Sequence, residues 1–332
     1  MAGLLPEELA RLPGVSPAFR GMQLFKWISS GTTDFSQMQN IPKALRQQLE
    51  QTCKIRLSYV SRKLVDPDGT VKLQLSLHDE KCVETVLLTD RDGRKTACVS
   101  CQVGCAMACA FCQTGRLGFS RNLTAAEIVE QFQFLEEEVG RLDNIVFMGM
   151  GEPLLNLEAI RKAVAVLTHP EGRNLSIRRI TLSTCGIISG IYDLADKGPS
   201  LRLAVSLTTA DEKLREQLMP VTAGNPLPQL RKAISYYTQK TGRRCTLEAA
   251  LLSGQNTGPE SARRLIDFAR GLNCHINLIP WNPVEGIPFQ EPSAKECKDF
   301  ISQLERSGLN VTLRHRRGRS IGGACGQLGK TD

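Results

Sequence analysis

The sequence has no stretch approaching the ~20 consecutive apolar residues of a membrane span, although apolar residues make up 41% of its 332 positions. No charged-then-apolar leader opens it, because MAGLLPEELARLPG is too short and too acidic to serve as one. It carries no strong charge excess: 42 basic against 34 acidic residues leave +8. That balance suits a polyanionic partner such as RNA, but many proteins carry as much without one. These absences point to a soluble, cytoplasmic chain with no membrane partner, long enough for a large core and two domains. They also argue against a disulfide framework for the 12 cysteines, since thiols in that compartment stay reduced unless catalytic or metal-bound.

A further absence shapes the reading of the densest cysteine segment. Cys98 to Cys112 reads CVSCQVGCAMACAFC, five cysteines in fifteen residues. Cys105, Cys109 and Cys112 have the spacing C-x3-C-x2-C, and no close fourth His or Cys follows. Gly104 and three alanines would let the backbone curl so that three thiolates face one point. Soft thiolates select zinc, copper(I) or iron–sulfur clusters. Zinc sites usually gather four ligands, whereas three fit a four-iron cluster with one iron open to a small molecule. The spacing, with Phe111 before the last cysteine, resembles the radical S-adenosylmethionine (SAM) enzymes. A broken zinc knuckle or a nest of buried thiols is the competing reading.

Residues 1–52 read as a small helical domain. Phe19, Met22, Phe25, Trp27 and Ile28 form an apolar face at helical spacing, and a third helix runs to Leu49. Arg20, Lys26, Lys43 and Arg46 could face RNA or simply solvent. Residues 53–95 change period: Val71, Leu73, Leu75 and Leu77 alternate with polar residues as in a half-buried strand, and Val83–Leu88 is another. Alternation places Glu84 on the solvent face of that strand. From 96 to 290, strands and helices alternate through roughly six βα units, the pattern of an α/β fold with a partial, open (β/α)6 barrel. In such folds the site lies at the carboxyl ends of the strands. The cysteine loop, Gly151-Glu152, Ser183, Ser206 and Asn282 all fall there. The segment 291–332 holds a helix, a strand, the basic run Arg314-His-Arg-Arg-Gly-Arg319, read as a phosphate contact, and Cys325 among glycines.

Five segments together carry a more specific likeness. CVSCQVGCAMACAFC, GMGEPLLN (149–156), TLST (181–184), INLIPWNP (276–283) and ACGQL (324–328) resemble, in order, the RlmN/Cfr family of radical SAM RNA methyltransferases. FRGMQLFKWI near the start is similar to that family's N-terminal helices. The resemblance implies a [4Fe–4S] cluster on Cys105, Cys109 and Cys112, and SAM held by Gly151, Glu152, Ser183, Ser206, Leu207, Thr208 and Asn282. It implies that Cys325 carries the methyl group, that Cys98 resolves a protein–RNA adduct and that Glu84 is the base. Thr208 stands where the family usually has His, and the spacer between Glu84 and Cys98 differs from the family's by one residue. The implied reaction is methylation of adenosine C2 in 23S rRNA, with tRNA as a second substrate. The implied partners are an electron donor such as flavodoxin or ferredoxin, with the enzyme itself a monomer. A Cfr-like C8 methyltransferase, a radical SAM activase and a non-enzymatic iron–sulfur or zinc RNA-binding module are the rival readings.

Overall fold

A glycine sets the geometry of the N-terminal helices. In the computed structural model, which describes residues 1–329, helices span Pro6–Leu9, Phe19–Ser29 and Lys43–Thr52. A Cβ on Gly21 would lie 2.3 Å from the Pro6 carbonyl oxygen and 2.6 Å from the Ala10 nitrogen. The first two helices therefore touch backbone to backbone there. This fixes the buried stripe as Gly21, Leu24, Phe25 and Ile28, an i, i+3, i+4, i+7 pattern. Phe19, expected on that face, is 55% exposed.

Ten strands then make one sheet. Tyr59–Val65 (β1), Val71–Ser76 (β2), Cys82–Thr89 (β3) and Lys95–Cys98 (β4) pair antiparallel in sequence order. A two-stranded insert, Gln102–Gly104 (β5) with Phe119–Asn122 (β6), follows. Asn144–Phe147 (β7), Ile180–Thr184 (β8), Arg202–Ser206 (β9), Cys245–Leu251 (β10), Cys274–Pro280 (β11) and Val311–Leu313 (β12) then add on, each parallel to its neighbour from β4 onward. The expected six parallel strands are present, and β12, from the C-terminal segment, adds a seventh. The sheet also runs without a break from β3 into β4, so residues 53–95 extend the barrel wall.

Helices cover the outside of the sheet. Ala125–Val139 opens with the expected capping box of Thr124 and Glu127. A helix at Ile188–Lys197 was not anticipated. No helix among the described residues is long and apolar enough to cross a membrane.

Candidate active site

Gly104 makes the cysteine loop possible. Its φ is +74° and a Cβ would lie 1.9 Å from the Gly118 carbonyl oxygen. The backbone there turns out of β5 against β6, and the Cys105 amide donates to Gly118 O at 2.8 Å. The loop is tied to the barrel by Ala110 N–H to Leu218 O at 2.9 Å and by the Trp281 indole N–H to Phe111 O at 2.9 Å. Ser100 joins it to the next strand end. Its hydroxyl donates to Glu84 O and accepts from Met150 N–H, while Gln131 bonds both its N–H and its carbonyl.

All three cysteines line one cavity of about 180 Å³. Burial pushes Cys105 up to about 12, and Cys112 and Cys109 also upward. Burial thus disfavours their thiolate forms. Among the described residues no group of His, Cys, Asp or Glu side chains is yet gathered in a way that could hold a metal ion. The loop nevertheless fits a cluster: three soft ligands, no fourth, and a cavity whose other wall carries polar groups among apolar ones. Iron charge would reverse the thiol preference.

That polar wall is largely the one the sequence pointed to. Gly151, with φ +104°, lies so close to Gln102 that a Cβ would meet its Cβ at 2.5 Å. The Gln102 carboxamide in turn accepts the Glu152 N–H at 2.8 Å. Glu152 is buried, which pushes its carboxyl upward. It accepts from Leu154 N–H, Cys185 N–H and the Cys185 thiol at 3.0, 2.8 and 2.9 Å. Ser183, Ser206 and Thr208 line the same cavity. Asn282 donates to Cys325 O at 3.1 Å, and its buried Oδ1 accepts nothing in the protein, leaving an acceptor free for a ligand. Leu207 departs from expectation: its side chain is fully buried in the core, and its N–H and C=O are taken by Glu248 O and Arg215.

Cys325 lies where this cavity meets a wider one of about 640 Å³. Cys98, at the end of β4, lines the wider cavity only. Its thiol is pushed up to about 12 by burial first and by Cys325 second. Arg314 lines both cavities and is held firmly protonated by Cys325, Glu248 and Cys98. The basic run thus does not act as one phosphate strip. Arg314 turns inward, Arg316 and Arg319 both pair with Glu291, and His315 and Arg317 stay at the wide cavity.

Glu84 is the clearest correction. It is 5% exposed, not on a solvent face. Its carboxylate pairs with Lys72 at 2.7 Å and accepts the Gly329 N–H at 2.6 Å. It lines neither cavity that holds Cys325. β3 is covered on both sides, so two-residue alternation carried no information there.

These contacts belong to a strap that fastens the Cys325 segment. Asp68 accepts Gly318 N–H at 2.9 Å, and Asp66 accepts the Ser320 N–H and hydroxyl at 3.0 and 2.6 Å. Downstream, Gln113 N–H reaches Gly326 O and the Thr114 hydroxyl reaches Leu328 O. The Ser320 hydroxyl holds the Asp66 carboxyl below its usual range. The Asp66 anchor is therefore present above the ordinary carboxylate pKa and weakens as pH falls through the lowered one. Asp66→Ala should speed tryptic cleavage after Arg319 by about tenfold, since hydrogen bonds to a charged group contribute ~1.5–3 kcal/mol. Limited proteolysis read by mass spectrometry checks this, and an unchanged rate would mean that the anchor does not hold the strap.

The site also contains residues that the sequence reading missed. Glu248 on β10 accepts from Ser183 on β8 at 2.8 Å and from Asn277 on β11 at 3.1 Å. Arg215 is fully buried and donates to Leu207 O, Thr222 and Cys185 O. The one signal for Glu248 was a charged residue inside an otherwise apolar strand, CTLEAAL.

Comparison with known proteins gives the family. A family model described as the radical SAM superfamily matches residues 99–268, and one described as the ribosomal RNA large subunit methyltransferase N-terminal domain matches 16–55. A probable dual-specificity RNA methyltransferase RlmN of Treponema pallidum is 55% identical over 331 residues, covering 100% of this chain and 97% of that one. The chain belongs to the RlmN family of radical SAM RNA methyltransferases. An RlmN relative from Heliobacterium modesticaldum is 42% identical, with 99% of this chain and 89% of that one covered. The crystal structure of a radical SAM methyltransferase from Sphaerobacter thermophilus superposes with a TM-score of 0.94 at 40% identity, covering 99% and 98%. RlmN membership implies a [4Fe–4S] cluster, SAM and an RNA substrate.

Proposed function

We propose that the chain methylates C2 of an adenosine in 23S rRNA, with tRNA as a second substrate, through a methyl group carried on Cys325. The observation that carries this reading is the place of Cys325 at the junction of two cavities. One has cysteine ligands and polar walls suited to a small cofactor. The other is wide enough for a nucleobase and has basic residues at its walls. When bound, the [4Fe–4S] cluster and SAM supply the methyl group and the 5′-deoxyadenosyl radical.

The chain's residues do the rest. Cys105, Cys109 and Cys112 hold the cluster. Gly151, Glu152, Ser183, Ser206, Thr208 and the free Oδ1 of Asn282 hold SAM, with Glu248 fixing Ser183. Leu207 contributes only backbone beside them. The Cys325 thiolate accepts a methyl group by displacement, and Arg314 places a positive charge beside that sulfur. Methylated Cys325, reaching from the small cavity into the wide one, presents its carbon to the base. That carbon loses a hydrogen atom and bonds to the ring, and the ring gives up a proton and an electron. Cys98 then attacks the Cys325 sulfur; the sulfur–carbon bond breaks, the freed carbon takes a proton and a disulfide forms. Glu84 is the candidate to take the ring proton, and must first leave Lys72 and the Gly329 N–H. A low-potential donor such as flavodoxin or ferredoxin completes the cycle, and the chain acts as a monomer.

The test is direct. The protein is reconstituted anaerobically with iron and sulfide and given SAM, a reductant and unmodified 23S rRNA fragments. Digested nucleosides are then compared by mass spectrometry with 2-methyl- and 8-methyladenosine. A 2-methyladenosine product is expected. An 8-methyladenosine product would move the chain to the Cfr side, and the absence of both products would sink the reading.

A further inference from the structure

The parallel strands have a second end, opposite the site, and it is lined with arginine. Arg178 and Arg179 immediately precede β8, Arg202 begins β9, and Arg243 and Arg244 immediately precede β10. These three strands are neighbours in the sheet. The register pairs Arg202 with Thr181 and Ala204 with Thr246. Extended by two residues, it sets Arg244 beside Arg202, with Arg179 two positions below Thr181. Strand spacing is about 4.8 Å, so five guanidinium groups crowd a short rim. Arg178, Arg179, Arg202 and Arg244 are exposed and Arg243 is half-buried.

None of the five has a carboxylate partner among the described residues. Arg179 reaches Asn144 Oδ1 at 3.5 Å and Arg243 reaches Ser200 Oγ at 3.0 Å. Other surface arginines do have carboxylate partners: Arg161 with Asp193, Arg173 with Glu136, Arg263 and Arg264 with Glu260. The rim is thus a place where like charges are brought together and left uncompensated. Burial, followed by repulsion from Arg179, Arg243 and Arg244, lowers the Arg202 pKa. Helix carboxyl termini lie at this end of a βα unit, but each offers only about half a charge. That does not balance five guanidinium groups.

We propose that this rim binds the phosphate backbone of the RNA substrate, at a stretch remote from the nucleotide being modified. The inference rests on the RNA methyltransferase reading and extends it to a second binding surface. Arginine is the residue suited to phosphate, through paired N–H donors in a fixed fork. A large folded RNA can reach both ends of the barrel, whereas a short hairpin in the site cannot. The rim therefore discriminates by the size and fold of the RNA and not by its sequence.

The test uses the full-length, cluster-loaded enzyme and two RNAs that share the target adenosine: a long folded fragment and a short stem-loop. The triple charge reversal Arg178→Glu, Arg202→Glu, Arg244→Glu changes exposed positions outside the site. Affinity for the long RNA should fall about 10- to 30-fold, and the slope of log affinity against log salt should shrink by about one for each phosphate that the rim no longer neutralises. Binding and methylation of the short stem-loop should stay within about twofold. The matching Arg→Lys triple should keep most of the long-RNA affinity, which a folding defect would not allow. Unchanged long-RNA binding overturns the inference, as does equal weakening of both RNAs, which would be a general field effect. Failure of the wild-type enzyme to methylate the short stem-loop would instead count against the proposed function.

Discussion

Cys325→Ala should abolish RNA methylation, with a loss of at least ~10⁴-fold, the scale seen when a covalent nucleophile is removed. The variant should keep its iron and its fold, because Cys325 lies on the strap and outside the C-x3-C-x2-C loop. Iron and sulfide content, the cluster absorbance and nucleoside mass spectrometry on one preparation check all three points. Cys325→Ser is the sharper companion: it keeps the size and the hydrogen-bonding character but supplies an alcohol in place of a thiolate. It should be as inactive as the alanine variant. Persistent methylation in either would show that the methyl group does not travel through this residue.

Cys98→Ala should stop the reaction one step later. RNA should accumulate covalently bound to protein, because the carbon bridge to Cys325 has no thiol to break it. A protein band that shifts on a denaturing gel and returns on nuclease treatment would show this, and turnover should fall at least ~10³-fold. The wild-type protein adds a pH test. Burial pushes the Cys98 thiol up to about 12, so only a small fraction is thiolate near neutrality. Below that pKa the thiolate fraction rises about tenfold for each pH unit. Release of RNA from the adduct should therefore quicken with pH between about 7 and 9, towards that slope. Single-turnover quenching measures it, and a flat profile, or no adduct in Cys98→Ala, would remove Cys98 from the release step.

The sequence is most legible where one short segment carries its own geometry. Cys105, Cys109 and Cys112 stand out in the sequence without any partner, they line one cavity, and Gly104 explains how their loop turns. Gly151-Glu152, Ser183, Ser206 and Asn282 followed from a general rule about strand ends, and the structure brings them to one cavity. The failures share a cause. Glu84 sits on a strand covered on both faces, so its environment depends on Lys72 in the next strand and on Gly329 far along the chain. Glu248 has a role only because β10 lies between β9 and β11, a fact of sheet order. Arg314 looks like its neighbours in RHRRGR, and only packing decides which arginine turns inward. Phe19 and Gly21 show the same limit at the N-terminus: periodicity gave a helix but could not say which stripe would meet the first helix.

The strap has a consequence in time. Ser320 lies 254 residues from Asp66, and Gly329 lies 245 from Glu84. Contacts of such separation are slow to form, and each requires its distant receiving surface to be folded already. Synthesis supplies the parts in that order, delivering the β1–β2 turn well before Cys325. The cysteine loop and the sheet can therefore take shape while the acceptor sulfur is still absent. A chain interrupted between Asn282 and Cys325 would hold the residues proposed for the cluster and for most of the SAM site, but not the proposed methyl acceptor. Completion of the proposed site thus waits on a segment that is made after the surface receiving it.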